Sequence, residues 1–158
     1  QGLQVENVFT VLYQRDGEHH PDNGQEVCVH DPCPLRNDQP SQKAVRGLLR
    51  RLGYTVRPMR HQHQTTICCG EGGAVGFHRP ELAQIWSNKR VAAAKGQMLI
   101  TSCAGCATML GTHTPTRHLA DLLFPPPQGT KATPPARAPL TYLNRLLLKL
   151  RLPRYIRA

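Results

Sequence analysis

Aromatic residues make up only 5% of the 158 residues, and no groove-reading module is present, so the net charge of +10 is not read as a nucleic-acid footprint. No apolar run approaches the roughly 20 residues that a membrane helix needs, and no secretory signal pattern is visible. Acidic residues stop at Asp121. Residues 127–158 hold 7 Lys/Arg and no acid, while residues 1–126 hold 13 Lys/Arg and all 10 Asp/Glu. The basicity therefore belongs to a tail and says little about the folded body. No internal repeat is found. No general acid, base or nucleophile stands out beyond the cysteines, so the chain does not read as a complete hydrolase or transferase.

What it does have is sulfur in an unusual arrangement. Of its 6 cysteines, five read Cys33, then Cys68-Cys69, then Cys103 and Cys106. Thirty-four residues lie between Cys33 and Cys68, and thirty-three between Cys69 and Cys103. In a secreted protein an even cysteine count suggests disulfides. Adjacent cysteines plus a Cys-x-x-Cys suit metal binding or redox work in a reducing cytoplasm better. The length corresponds to about one domain with a real core. The chain opens on Gln1 rather than Met, which fits a piece cut from a longer polypeptide.

The pattern along the chain alternates strands with helices. Leu3, Val5, Val8, Val11 and Leu12 suit a short helix within Gln1–Tyr13, followed by a polar loop to Gly24. Glu26–His30 is a β-branched strand that Asp31-Pro-Cys-Pro34 stops. Ser41 is the expected N-cap of a helix carrying Ala44, Val45, Leu48, Leu49 and Leu52 at helical spacing, with Gly53 as its end. A short strand is expected around Tyr54–Met59. A glycine-rich loop, Cys68-Cys-Gly-Glu-Gly-Gly73, precedes a helix from Pro80 to about Lys95, stopped by Gly96. Gln97–Thr101 reads as a buried strand and Ser102–Leu110 as the start of a further helix. Thr116–Phe124 reads as a helix or a strand–helix pair. Together these predict an α/β, Rossmann-like layered fold with a short, mostly parallel sheet flanked by helices. Three segments follow: residues 1–24 as helix and loop, 25–124 as the cysteine-rich domain, and 125–158 as a Pro-rich linker and tail.

In such sheets ligands gather beyond the carboxyl ends of strands. Cys33 follows the first strand, Cys103 follows the third, and Cys106 lies one turn later. Helix N-termini there favour thiolates and anionic groups. Glycines at 70, 72 and 73 let backbone approach bulky inorganic sulfide. Iron–sulfur clusters use Cys thiolates, commonly four per cluster, and five are available. Zinc is the alternative, through four of the sulfurs in a closed tetrahedral site, which leaves the fifth thiol over. A thiol–disulfide switch is a third reading.

Val29-His-Asp-Pro-Cys33, Ile67-Cys-Cys-Gly-Glu-Gly-Gly73 and Thr101-Ser-Cys-Ala-Gly-Cys106 resemble the cysteine-rich "CCG" domain of heterodisulfide reductases. Similar domains occur in the iron–sulfur subunits of glycolate oxidase and anaerobic glycerol-3-phosphate dehydrogenase. The resemblance covers roughly residues 25–124. It implies that Cys33, Cys68, Cys69, Cys103 and Cys106 ligate a [4Fe-4S]-type cluster, non-cubane in the heterodisulfide reductase branch. It also implies flavin-bearing or ferredoxin-like oxidoreductase partners. Family members often carry two such domains where this chain has one, and a missing N-terminal half could supply the second. Glu71 departs from a loop that is often all glycine.

Other residues carry plainer expectations. Cys28, between Val27 and Val29, is expected as a buried structural thiol. His30 either hydrogen-bonds cluster sulfur or stabilises the turn, and Asp31 reads as a turn residue. His61 and His63 are expected in a solvated loop, His19 and His20 as inert, and Trp86 as a core anchor. In the tail, Leu140, Leu143, Leu147 and Leu150 form a stripe, with Arg145, Lys149 and Arg151 largely off it. Such a basic amphipathic helix lies on an anionic membrane surface, docks on an acidic partner, or packs on its own domain. The expected location is cytoplasmic, with a peripheral place at the inner face of the membrane open to it.

Overall fold

The computed structural model describes residues 5–15, 17–125 and 139–156, with side chains through residue 151. The elements are α1 (Val8–Gln14), β1 (Glu26–His30), α2 (Gln39–Arg51), β2 (Thr55–Arg57), α3 (Val75–His78), α4 (Pro80–Ala93), β3 (Met98–Thr101), α5 (Ala104–Gly111), β4 (Thr116–His118), α6 (Leu119–Leu123) and α7 (Leu140–Ile156). Short 3₁₀ turns lie at Cys33–Leu35, His63–Thr65 and Gly72–Ala74. Chain contacts divide the molecule into two units, Gln1–Pro125 and Pro126–Ala158.

The four strands form one parallel sheet in the order β2-β1-β3-β4. Val27 lies opposite Val56 on one side and Met98 on the other, and Ile100 opposite Arg117. The expected α/β architecture is therefore present. From β1 the chain runs outward through α2 to β2, then back across to β3 on the other side. The reversal puts a topological switch point between β1 and β3, where such sheets leave a crevice at their carboxyl ends.

Both faces of the sheet are covered, so β1 is buried almost throughout rather than alternating. Val27 and Val29 join Ile100 of β3 and Phe9, Val45, Leu48, Leu49 and Leu119, the contributions of α1, α2 and α6. Cys28 and Leu99 point the other way and pack with Met59, Cys69, Ala94, Cys106 and Leu110. Cys28 is the buried thiol that its neighbours predicted, 3% exposed. His30, two residues further along the strand, shares its face.

Local starts and stops follow recognisable chemistry, with two departures from the sequence reading. The cap of α2 is Asp38, not Ser41: its Oδ1 accepts from the Ser41 amide at 3.0 Å and its Oδ2 from the Ser41 hydroxyl at 2.6 Å. Pro40 sits in the first turn, where its missing N–H costs nothing. Trp86 is not a core anchor. It is half-buried, with the Lys89 ammonium 5.2 Å from its ring centroid. The inner face of α4 is made instead by Ala83, Ser87 and Arg90. Small residues there let α4 approach the cysteine loop closely. A Cβ on Gly70, which has φ +100°, would meet the Ala83 carbonyl oxygen at 2.3 Å.

The second unit contributes α7. Leu140, Leu143, Leu147 and Leu150 are exposed on it, and no described helix is long and apolar enough to cross a membrane. Most of the expected Pro-rich linker, and the first four residues of the expected N-terminal helix, lie outside the described residues.

Candidate metal centre at the sheet edge

Three separate turns deliver the sulfurs. Cys33 follows β1 by three residues and opens the 3₁₀ turn Cys33–Leu35. Cys103 follows β3 and caps α5 in extended conformation, with its amide donating to Thr101 Oγ1 at 3.4 Å. Cys106 lies in the first turn of α5, whose leading amides have no helical acceptors. Cys68 and Cys69 come from the loop before α3, where the Gly70 amide donates to Cys68 Sγ at 3.3 Å.

These groups meet in the β1–β3 crevice. The ligand atoms of His30, Cys69 and Cys106 all lie within 4.8 Å of one another, and all three residues are buried. Cys69 interacts with Cys106, Cys106 with Cys103, and Cys33 with Cys68, closely enough to shift one another's ionisation. The charge on Cys69 also acts on Cys33. All six cysteines are free thiols. The sixth, Cys28, lines a cavity of about 960 Å³ beside the end of α4 and β2, with Arg57, Arg60, Lys89 and Lys95 around it. None of the other five cysteines borders that space.

The electrostatics follow from crowding. Contact with Cys106 brings the Cys69 thiol down to about 4, against the effect of burial, with His30 and the Glu71 amide adding to the lowering. The same Cys69 contact, then burial, pushes Cys106 up. Burial and then Cys68 raise Cys33. Thiols this close cannot all ionise together: one thiolate forms at the expense of its neighbours. A bound cation removes that penalty, because coordination leaves the thiolate as the stable form.

His30 is fully buried and takes a hydrogen bond at Nδ1 from Arg90 Nε at 2.8 Å. Its Nε2 has no hydrogen-bond partner among the described residues, sulfur included. Burial lowers its pKa, with the charge of Arg90 adding to the effect and Cys69 opposing it. Arg90 is itself fully buried. It donates to the carbonyls of Arg60 at 2.9 Å, His61 at 2.6 Å and Val29 at 3.4 Å.

Asp31 is more than a turn residue. It is 2% exposed and takes two hydrogen bonds from Arg46, at 2.7 and 2.8 Å, plus the His63 amide at 2.7 Å. Its own carbonyl accepts from Thr66 Oγ1 at 2.6 Å. Burial pushes the carboxyl up, but Arg46 and the His63 amide outweigh it and hold it below the usual range. The segment from His61 to Thr66 is thereby tied to the turn before Cys33. His61 and His63 are half-buried rather than solvated, and His63 Nδ1 lies 3.0 Å from Gln42 Oε1. His19 and His20 are exposed. Arg46 and Arg90 are the residues that sequence reasoning missed. Nothing in local periodicity separates a buried arginine from a solvated one.

The donor set suits a sulfur-ligated metal group. Cys69 and Cys106 lie together with a ring nitrogen of His30, and Cys33, Cys68 and Cys103 act electrostatically on one or other of that pair or on each other. The backbone around them is close-fitting: a Cβ on Gly105 would meet the Glu71 carboxylate at 1.9 Å.

Comparison with known proteins agrees with this geometry. Residues 27–111 match the cysteine-rich (CCG) domain family. The glycolate oxidase iron-sulfur subunit of Escherichia coli (strain K12) is 32% identical over 104 residues, covering 63% of this chain and 25% of that protein. A probable membrane-anchored ferredoxin of Chromohalobacter salexigens is 29% identical over 93 residues, 57% of this chain and 14% of that protein. The chain thus spans a quarter or less of the length of these relatives. The family match takes in β1, the CysCys loop, β3 and α5, all the elements that carry the thiols, and the chain belongs to the cysteine-rich (CCG) domain family.

Proposed function

We propose that this chain is an iron–sulfur electron-transfer domain of a larger oxidoreductase. Cys33, Cys68, Cys69, Cys103 and Cys106 are its ligands, and the cluster is of the [4Fe-4S] type with a non-cubane form suited to five thiolates. The observation that carries this reading is the convergence of the cysteine groups at the β1–β3 switch point, around a buried trio of His30, Cys69 and Cys106. The names of the two relatives, an iron-sulfur subunit and a ferredoxin, support it.

Bound there, the cluster supplies one-electron redox chemistry and needs no proton donor or nucleophile from the chain. The protein's part is to hold and insulate. Cys33 is positioned by the Asp31–Arg46 pair, Cys103 and Cys106 by α5, and Cys68 and Cys69 by the turn at Gly70. Cys69 and Cys106 are buried, and Cys33, Cys68 and Cys103 are half-buried, so the crevice has a shielded floor and an accessible rim. Electrons would enter or leave at that rim, from a flavin-bearing or ferredoxin-like partner. Four of these thiols could hold zinc, but a closed zinc site has no use for a fifth.

The basic, leucine-rich α7 is proposed as a peripheral contact, to an anionic membrane surface or to an acidic face of a partner subunit in the cytoplasm. Its exposed leucines and the absence of acid after Asp121 support that role.

Anaerobic reconstitution with iron and sulfide tests the central reading. Bound iron and sulfide, a broad visible absorbance and an EPR signal on reduction are expected. Protein purified without oxygen that carries zinc and takes up no iron would overturn it.

A further inference from the structure

We propose that Arg90 and His30 form a buried donor relay. Arg90 holds the imidazole as its Nε2–H tautomer, and once the cluster is bound that N–H donates to the sulfur of Cys69, raising the cluster's midpoint potential. The proposal rests on the iron–sulfur reading above and adds two positioning residues outside the cysteine pattern.

The tautomer follows from donor counting. A guanidinium has five N–H donors and no acceptor. Its Nε lies 2.8 Å from His30 Nδ1, so Nδ1 must present its lone pair. A neutral imidazole then carries its proton on Nε2. That atom is buried and without a hydrogen-bond partner, a ring nitrogen of His30 lies within 4.8 Å of both Cys69 Sγ and Cys106 Sγ, and Arg90 already occupies Nδ1. Acting as a metal ligand would require the Nε2 lone pair, and with it a break from Arg90 or loss of a second proton. The geometry therefore makes His30 a donor to sulfur rather than a sixth ligand.

Arg90 cannot easily turn away. Its terminal nitrogens are held by the carbonyls of Arg60 and His61, with a longer contact to that of Val29. Although burial lowers its pKa to about 10, it stays protonated near neutrality and keeps donating. An electron added to an iron–sulfur cluster places negative charge on its sulfurs, so an N–H pointing at one of them favours the reduced form. The low dielectric of the site strengthens the effect.

The reconstituted chain tests the relay by EPR-monitored redox titration. His30→Leu should lower the midpoint potential at unchanged iron content. His30→Gln, whose amide can donate from near the Nε2 position, should recover much of the shift. Arg90→Met should also lower the potential, and the double variant should fall no further than His30→Leu alone. An unchanged potential in His30→Leu would sink the proposal. So would a further drop when Arg90→Met is added to it, since Arg90 would then act through its charge and not through His30. Nitrogen-15 NMR of the reduced, metal-free wild-type chain reads the tautomer directly. Nε2 should be protonated and Nδ1 bare, and the reverse assignment refutes the relay whatever the variants do. Failure of the wild-type chain to bind iron would instead count against the iron–sulfur reading and leave the NMR result to decide the tautomer.

Discussion

At Asp31, a buried carboxylate, the Arg46 fork and the His63 amide hold the backbone just before Cys33. Removing one partner strands a charge away from water, so Arg46→Met should cost about 3–5 kcal/mol, measured by urea denaturation of the full chain. The pH dependence follows from the sign of the shift. The folded-state pKa of Asp31 lies below its ordinary value, so its contribution is complete above about pH 4 and fades as pH falls further. Asp31→Asn should flatten the stability profile in that acid range, and an unchanged slope would assign the loss to other carboxylates. The cysteines divide just as sharply. Replacing Cys33, Cys68, Cys69, Cys103 or Cys106 with Ser should each reduce bound iron, whereas Cys28→Ala should leave it unchanged, as measured by iron analysis after anaerobic reconstitution. The cysteine types and spacings were legible in the amino-acid sequence. The partners of Asp31 and His30 were not, because each is a single polar residue in a strand or turn with nothing nearby to announce a distant arginine.

Among the elements, the packing of α4 on the CysCys loop is the most sensitive junction. Gly70 has φ +100°, and its missing Cβ leaves room for the Ala83 carbonyl. Gly70→Ala should therefore destabilise the fold by about 1–3 kcal/mol through backbone strain alone, and lose iron binding with it. Gly72 is the control. A Cβ there meets only Cys68 Sγ, at an ordinary 3.8 Å, so Gly72→Ala should be mild in both thermal melting and iron content. Element positions were readable where residue type and periodicity agreed: β1 from its β-branched run, α4 from Pro80 and Gly96, β3 from Met98-Leu-Ile100. The start of α2 was misplaced because Asp38, three residues upstream of Ser41, is an equally good cap. Trp86 was misplaced because size suggested burial, while close approach to the loop demanded small residues on the inner face of α4.

For the whole molecule, the strand order governs the site, since the reversal between β1 and β3 opens the crevice that receives all three cysteine groups. The α7 unit is testable separately. Co-sedimentation with anionic liposomes should fall several-fold when residues 140–158 are removed, and equal partitioning of the two chains would eliminate the membrane reading. The amino-acid sequence by itself determined the alternation of strands and helices, the supply of five thiols, and their placement just after strand ends or at helix starts, since these depend on residue type and short-range spacing. Only the tertiary structure decided that Arg90 meets His30 across sixty positions, that Arg46 neutralises Asp31, and that His30 Nε2 is left buried without a partner. Periodicity records which side of an element leaves water, whereas the identity of the group it meets depends on how distant segments stack.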